Sequence, residues 1–319
     1  MPLSARGLAA ALCAAWCATD PRRSATGTDL DDVELAWGAA HTRPAAASGG
    51  DAAERLCLLH TDVLNDPLAA PRLATGWGAG GDGGAPSSWQ ELRARRGDIG
   101  CALNSAICFM HSREDADRYC RQARGMTAAP GIFVMDLQGG ATMEKALTQR
   151  TRLPGGSVDY LWTQDGFDPV SRLISCHIGF RLRGRRGAPP PPTPPALRRA
   201  FSYRWRLWTL PEVCDMLRLA GFASTHIWLR RMREDGEAPS DGEEESDDED
   251  DGGDDASESG SSDSDDGSDG VGGGGGRRGG KRREGKSSDE YVEVTAATPA
   301  AALHRYARGW QAYIVAVAR

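Results

Sequence analysis

The chain opens with apolar residues at helical spacing: Leu8, Leu12, Ala15 and Trp16 share one face of a helix running to Cys17. An Asp20-Pro21 turn follows. Arg23 to Leu30 is short and rich in small and β-branched residues, which predicts a strand ending at Asp29. Asp32-Val33-Glu34-Leu35-Ala36-Trp37-Gly38 then begins a second helix, with Asp31 or Asp32 as its cap. Three nearly continuous apolar runs come next: Arg55 to His60, Asp98 to Leu103 and Gly131 to Met135. Such runs mark parallel strands buried on both faces. They end at Thr61-Asp62-Val63, at Asn104-Ser105 and at Asp136, and a helix from Glu114 to Met126 separates the last two. The alternation predicts an α/β fold with an open, doubly wound parallel sheet.

Beyond Asp136 the pattern changes. Val158 to Gln164 and Leu173 to Leu182 flank an Asp-Gly-Phe-Asp-Pro turn, and the second arm alternates. Ile174, Cys176, Ile178, Phe180 and Leu182 take one face; Ser175, His177, Gly179 and Arg181 take the other. That is a half-exposed antiparallel hairpin. The run Pro189 to Pro195 predicts a stiff loop. At Trp208-Thr209-Leu210-Pro211-Glu212 a helix starts, with Thr209 as N-cap and Glu212 completing a capping box. Gly221 ends that helix, Ser224 to Leu229 is a strand, and Trp310 to Val317 is an apolar closing strand.

Composition changes this picture in three places. Of 45 acids and 38 bases, 17 and 6 fall between Asp241 and Lys286, which leaves 28 acids against 32 bases elsewhere. The net charge of -7 therefore belongs to one low-complexity tract, acidic first and then basic, that is expected to be disordered. Residues 1–235 read as one domain with loop insertions at 66–90 and 184–197, residues 236–290 as an inserted tract, and residues 291–319 as the return of the closing strand. The 8 cysteines are scattered, with no Cys-x-x-Cys pair, so free thiols, a reducing compartment and no metal site are expected. Arg6 and the apolar stretch Leu8 to Cys17 also suit a signal or plastid transit peptide. The helix reading is preferred because the strand after it is the right partner, which leaves the cytoplasm or a plastid as the expected compartment. No run is long enough to span a bilayer.

In open α/β sheets ligands bind at the carboxyl ends of the strands. Asp29, Asp62, Asn104 with Ser105, and Asp136 gather there in sequence. A carboxylate after the first of these strands accepts both hydroxyls of a ribose, and one after the next accepts from an adenine amine. Each also has a structural reading: Asp29 or Asp31 as a helix cap, Asp62 as a turn closer.

Here the residues resemble a known family. TGTDLDDVELAWGAAH, LCLLHTDVL and DIGCALNSAICFMHSREDADRYCRQARGMTAAPGIFVMDLQGG resemble the second to fifth motifs of class I S-adenosylmethionine (SAM) dependent methyltransferases. YLWTQDGFDPVSRLISCHIGFRLR and RRAFSYRWRLWTLPEVCDMLRLAGF are similar to the hairpin and final helix of a bacterial, algal and plant subgroup, and GWQAYIVAVAR to its last, antiparallel strand. The resemblance covers about Leu8 to Trp228 plus Gly309 to Val317. It implies a Rossmann-like sheet with an antiparallel last strand and an inserted hairpin, with SAM as cofactor. Asp29 would bind the ribose, with Thr28 and Leu30 as neighbouring contacts. Asp62 and Val63 would flank the adenine, and Asn104 and Ser105 would line the floor near the methyl group. His177 is the candidate base.

The family begins one strand earlier, with an acid-ended strand and a Gly-x-Gly loop that approaches the methionine part of SAM. Met1 to Gly7 is too short for a strand of about five or six residues plus a turn. The expectation is a gene start upstream of Met1, or a form that binds SAM weakly. The implied acceptor is a small molecule, with a basic protein as a further partner for the acidic tract and no membrane or nucleic acid. Two rivals stay open: a non-catalytic interaction protein with the same fold, and a nicotinamide dehydrogenase using Asp29.

Overall fold

A computed structural model describes residues 8–47, 55–64, 72–73, 96–183, 196–232 and 290–319. Most of the 66–90 insertion, the proline run and nearly all of the 236–290 tract lie outside the described residues. Among the described residues no helix is long and apolar enough to cross a membrane.

The first part is α1 (Leu8–Thr19), β1 (Ala25–Asp29), α2 (Asp32–Ala47) and β2 (Leu56–His60), with β1 and β2 parallel from Ala25↔Leu56 to Asp29↔His60. A two-residue strand, β3 (Arg72–Leu73), pairs antiparallel with β2. The buried face of α1 is Ala10, Ala14 and Cys17, whereas Leu12 and Trp16 are 44% and 39% exposed. This corrects the helix face expected above, and the reason lies across the interface. A Cβ on Gly27 would stand 2.9 Å from Leu58 and 3.2 Å from the Cys13 sulfur. So close an approach of helix to strand leaves room only for small side chains. The Arg55 guanidinium donates to the Cys17 and Asp20 carbonyls, satisfying the end of α1.

The second part centres on β4 (Gly97–Ala102) and β5 (Thr127–Gly139), parallel and joined through α3 (Arg113–Met126). The Ser112 hydroxyl accepts from the Asp115 amide to cap α3. Helix α4 (Leu210–Leu219) leads to β10 (Ser224–Arg231), and β11 (Val292–Val294) and a short α5 (Ala300–Leu303) precede β12 (Trp310–Ala318). The sheet order is β11-β10-β12-β5-β4, with β12 antiparallel to both its neighbours. This is the expected closing strand. It pairs with β5 from Gly131 to Gly139, which extends β5 well past the predicted Met135. Met135, Leu137, Ile314, Met216 and Leu217 fill the core where sheet and α4 meet.

Between these parts the described sheet has a gap. The ladder partner of β1 is β2 alone, and that of β4 is β5 alone, among the described residues. The run read as a doubly buried strand is therefore an edge: Gly97, Asp98 and Cys101 are exposed, and Ile99 is 45% exposed. Its apolar sequence fits a central strand; its exposure follows from having a neighbour on one side only. The α1 helix rests on Gly27 of β1.

The inserted hairpin is the middle of a four-stranded antiparallel sheet: β6 (Leu147–Arg152), β7 (Val158–Asp168), β8 (Leu173–Leu182) and β9 (Ala196–Arg206), in that order. Strand β7 runs through the predicted turn across an irregularity between Gln164 and Phe167, which moves the reversal to residues 169–172. Ile174, Cys176, Tyr203, Trp205 and Trp162 face the core. His177 pairs with Thr163 and Ser202 on the opposite face.

The capping box of α4 is present: the Thr209 amide donates to Glu212 Oε2 at 2.8 Å and the Glu212 amide to Thr209 Oγ1 at 3.4 Å. Burial pushes the Glu212 carboxyl up, but the Thr209 hydrogen bonds and nearby Arg206 and Arg172 outweigh it, so its pKa is lowered. Thr209→Ala is expected to cost about 1 kcal/mol in urea unfolding at neutral pH. A depressed carboxylate pKa stabilises the fold above the ordinary carboxyl range and loses that share as pH falls through the folded value. The difference between Thr209→Ala and the parent chain should accordingly shrink in acid.

Candidate functional site

At the end of β1, Asp29 Oδ1 accepts the Asp31 amide at 3.0 Å, and Asp31 Oδ1 accepts the Val33 and Glu34 amides at 2.9 and 3.2 Å. Asp31 is the cap of α2, which leaves Asp29 for other work. The Thr61 amide donates to the Asp29 carbonyl at 2.9 Å, so the ends of β1 and β2 lie side by side. Asp62 Oδ1 accepts the Leu64 amide at 2.8 Å, the turn-closing role. Val63 packs half-buried against Leu59 and the main core, whereas Leu30 is exposed with its carbonyl on the His60 ring at 2.9 Å. The buried Thr61 hydroxyl has no hydrogen-bond partner among the described residues, at a cost of roughly 1–3 kcal/mol.

At the end of β4, Asn104 and Ser105 both take left-handed backbone, with φ of 65° and 57°. Such residues cost about 1–3 kcal/mol each and persist only where their surroundings hold them. Asp136 does the holding: its Oδ1 accepts the Ser105 amide at 2.7 Å, the Asn104 amide adds to the bond, and Gln311 supports it. Asp136 is 5% exposed, and burial raises its pKa despite these hydrogen bonds. It belongs under the site as a support, not beside the other strand-end acids as a ligand. Gln138 donates from Nε2 to Ser105 Oγ at 3.3 Å and also lines two cavities of about 240 Å³ each at the end of β5. One holds the Glu144–Arg172 pair with Trp208 and Trp310; the other holds Lys145, Trp162 and Gln164.

His177 bonds through Nε2 to Asp165 at 2.8 Å and through Nδ1 to Ser202 Oγ at 2.9 Å. Arg199 reaches the same Asp165 oxygen at 3.1 Å. This network lies on the face of the four-stranded sheet turned from the core, so the structure does not bring His177 to the strand ends. Past the end of β4, Phe109 stands edge-on to Tyr203 at 6.1 Å; burial raises the Tyr203 phenol pKa, and the Glu34 charge adds to the rise. Neither Phe109 nor Thr61 was marked by the sequence pattern, because a lone Phe in an apolar run and a Thr in a turn look ordinary. Among the described residues there is no group of three His, Cys, Asp or Glu side chains able to hold a metal.

The chain is similar to SAM-dependent methyltransferases. A SAM-dependent methyltransferase from Clostridium acetobutylicum is 12% identical, with a TM-score of 0.42 over 68% of this chain and 71% of that one. The CcbJ methyltransferase from Streptomyces caelestis is 16% identical, with a TM-score of 0.42 over 69% of this chain and 86% of that one. DesVI from Streptomyces venezuelae is 12% identical, with a TM-score of 0.42 over 70% of this chain and 88% of that one. No family model and no curated protein sequence matches the chain. At these values the likeness carries no weight of its own, and the reading below rests on the residues.

Proposed function

We propose that the chain is a SAM-dependent methyltransferase acting on a small-molecule acceptor. The observation that supports this reading is the series of polar turns at strand ends: Asp29 beside Thr61–Asp62 at the ends of β1 and β2, and Asn104–Ser105 at the end of β4. These residues fit the adenosine half of SAM. Asp29 keeps Oδ2 without a described partner, an acceptor for ribose hydroxyls. Asp62 and Val63 would flank the adenine, and Asn104 and Ser105 would lie nearest the transferring group. When bound, the cofactor supplies a methyl group on a sulfonium. The protein's share is then to align the acceptor in line with that methyl and to keep water out.

Isothermal titration of the full chain with SAM tests the reading. Asp29→Ala should weaken binding tenfold or more, about 1.4 kcal/mol. Unchanged affinity in the variant, or no binding by the parent chain, would overturn it. A second reading is a non-catalytic protein of the same fold; it draws on β1 and β4 each having one ladder partner, β2 and β5, among the described residues. Absence of SAM binding together with cooperative unfolding would support that alternative.

A further inference from the structure

The two faces of the four-stranded sheet divide its chemistry. Arg150, Arg152, Arg181 and Arg204 sit on the outward face with His177, as their register with Leu161, Asp159 and Ser175 requires. The aromatic residues sit inward. Tyr203 and Trp205 stack at 5.6 Å and 27°, Trp162 leans on Trp205 at 5.4 Å, and Phe109 stands at 77° to Tyr203 and 84° to Trp205. Two walls at nearly right angles make a corner. Trp205 is buried behind it and needs no ligand to cover it, but Phe109 is 47% exposed and Tyr203 half-exposed.

The corner is rigid. The His111 ring donates from Nε2 to the Arg204 carbonyl at 2.6 Å, and the Arg206 guanidinium donates to the His111 carbonyl at 3.0 Å. These bonds lock β9 to the segment that carries Phe109, so the two walls keep their angle without a ligand. Preformed apolar walls with few polar groups are what small-molecule sites require. The indole N–H of Trp205 is sealed inside the wall, so the corner offers rings and little else to a ligand.

Resting on the methyl-transfer reading, we propose that Phe109 and Tyr203 form the acceptor subsite and that it takes a planar aromatic ring. Flat rings gain from both walls, through an edge contact to one and an offset stack on the other. A sugar or an aliphatic amine would fill the corner without that geometry.

The test is ligand-observed NMR on the full chain with 2-naphthol and glucosamine, alongside calorimetry with SAM on the same samples. Naphthol should bind at least tenfold more tightly than glucosamine. Phe109→Ala and Tyr203→Ala should each weaken naphthol tenfold or more while leaving SAM affinity within twofold, and Arg150→Ala should change neither. Phe109→Leu, which keeps apolar bulk without the ring, should behave like the alanine variant. Naphthol binding unmoved by Phe109→Leu, or preference for glucosamine, would overturn the subsite. Loss of SAM binding with naphthol still held at the corner would overturn the methyl-transfer reading and leave the ring subsite standing.

Discussion

Trp208→Ala is expected to destabilise the fold by about 3–5 kcal/mol, the usual cost of emptying a large buried aromatic site. Trp208 is 1% exposed, and its indole N–H donates to two carbonyls at once, Ile107 at 3.2 Å and Met110 at 3.1 Å. The Arg206 guanidinium covers its ring at 3.8 Å, which adds a cation–π contact. Three consequences of removing it run together: a cavity, two carbonyls stripped of a donor, and an arginine left without its platform. The position of Trp208 makes this more than a packing loss. It ties the start of α4 to the segment between Asn104 and Met110, the same segment that carries Ser105 and Phe109. A domain of this size has only about 5–15 kcal/mol to lose. Urea unfolding followed by circular dichroism should therefore show a midpoint lowered by a third or more of its range, or a chain unfolded without denaturant. A midpoint within about 1 kcal/mol of the parent would show that the indole is dispensable.

Much of this fold was legible in the sequence because the signals were local and redundant. Ser224 to Leu229 and Trp310 to Val317 carry strand patterns that need no knowledge of their partners, and Thr209 with Glu212 spells out a capping box that the structure contains. What depended on a distant partner was harder to read. The buried side of α1 was misread because the deciding residue is Gly27, on another element. The exposure of Ile99 was not readable either, since an apolar strand reads the same whether one neighbour pairs with it or two. The candidate site divides along the same line. Asp29, Asp62 and Asp136 share a position at strand ends, and position alone could not tell that Asp136 is buried and spends itself on the Ser105 amide. Charge patterning placed His177 and Arg181 on one face of a strand; only the third and fourth strands show that this face looks away from the strand ends.

Asp136→Ala should then be the substitution that couples stability to ligand binding most strongly. The carboxylate collects the Ser105 amide at 2.7 Å and the Asn104 amide, the two donors of a turn whose residues both have positive φ. Taking it away leaves the buried Ser105 amide without an acceptor, roughly 1–3 kcal/mol, and empties a side-chain site that is 5% exposed. It also frees two non-glycine residues to relax into ordinary backbone, since nothing else over-determines their strain. The expected result is about 2–4 kcal/mol lost in urea unfolding, and SAM binding weakened beyond the effect of Asp29→Ala, because Ser105 and the chain leading to Phe109 move together. Asp136→Asn is the discriminating partner. Its amide oxygen still accepts from Ser105, so the turn and SAM affinity should largely survive. The pH dependence separates the two further. Burial raises the Asp136 pKa above its ordinary 3.8, so its protonated form favours the fold. That contribution is complete below the ordinary value and is lost as pH rises through the elevated one. Asp136→Asn removes this titration and should flatten the stability profile just above pH 4 relative to the parent. If Asp136→Ala unfolds at the same urea concentration as the parent and binds SAM unchanged, the turn is held by something other than this carboxylate, and Asn104 and Ser105 lose their claim to a preorganised place in the site.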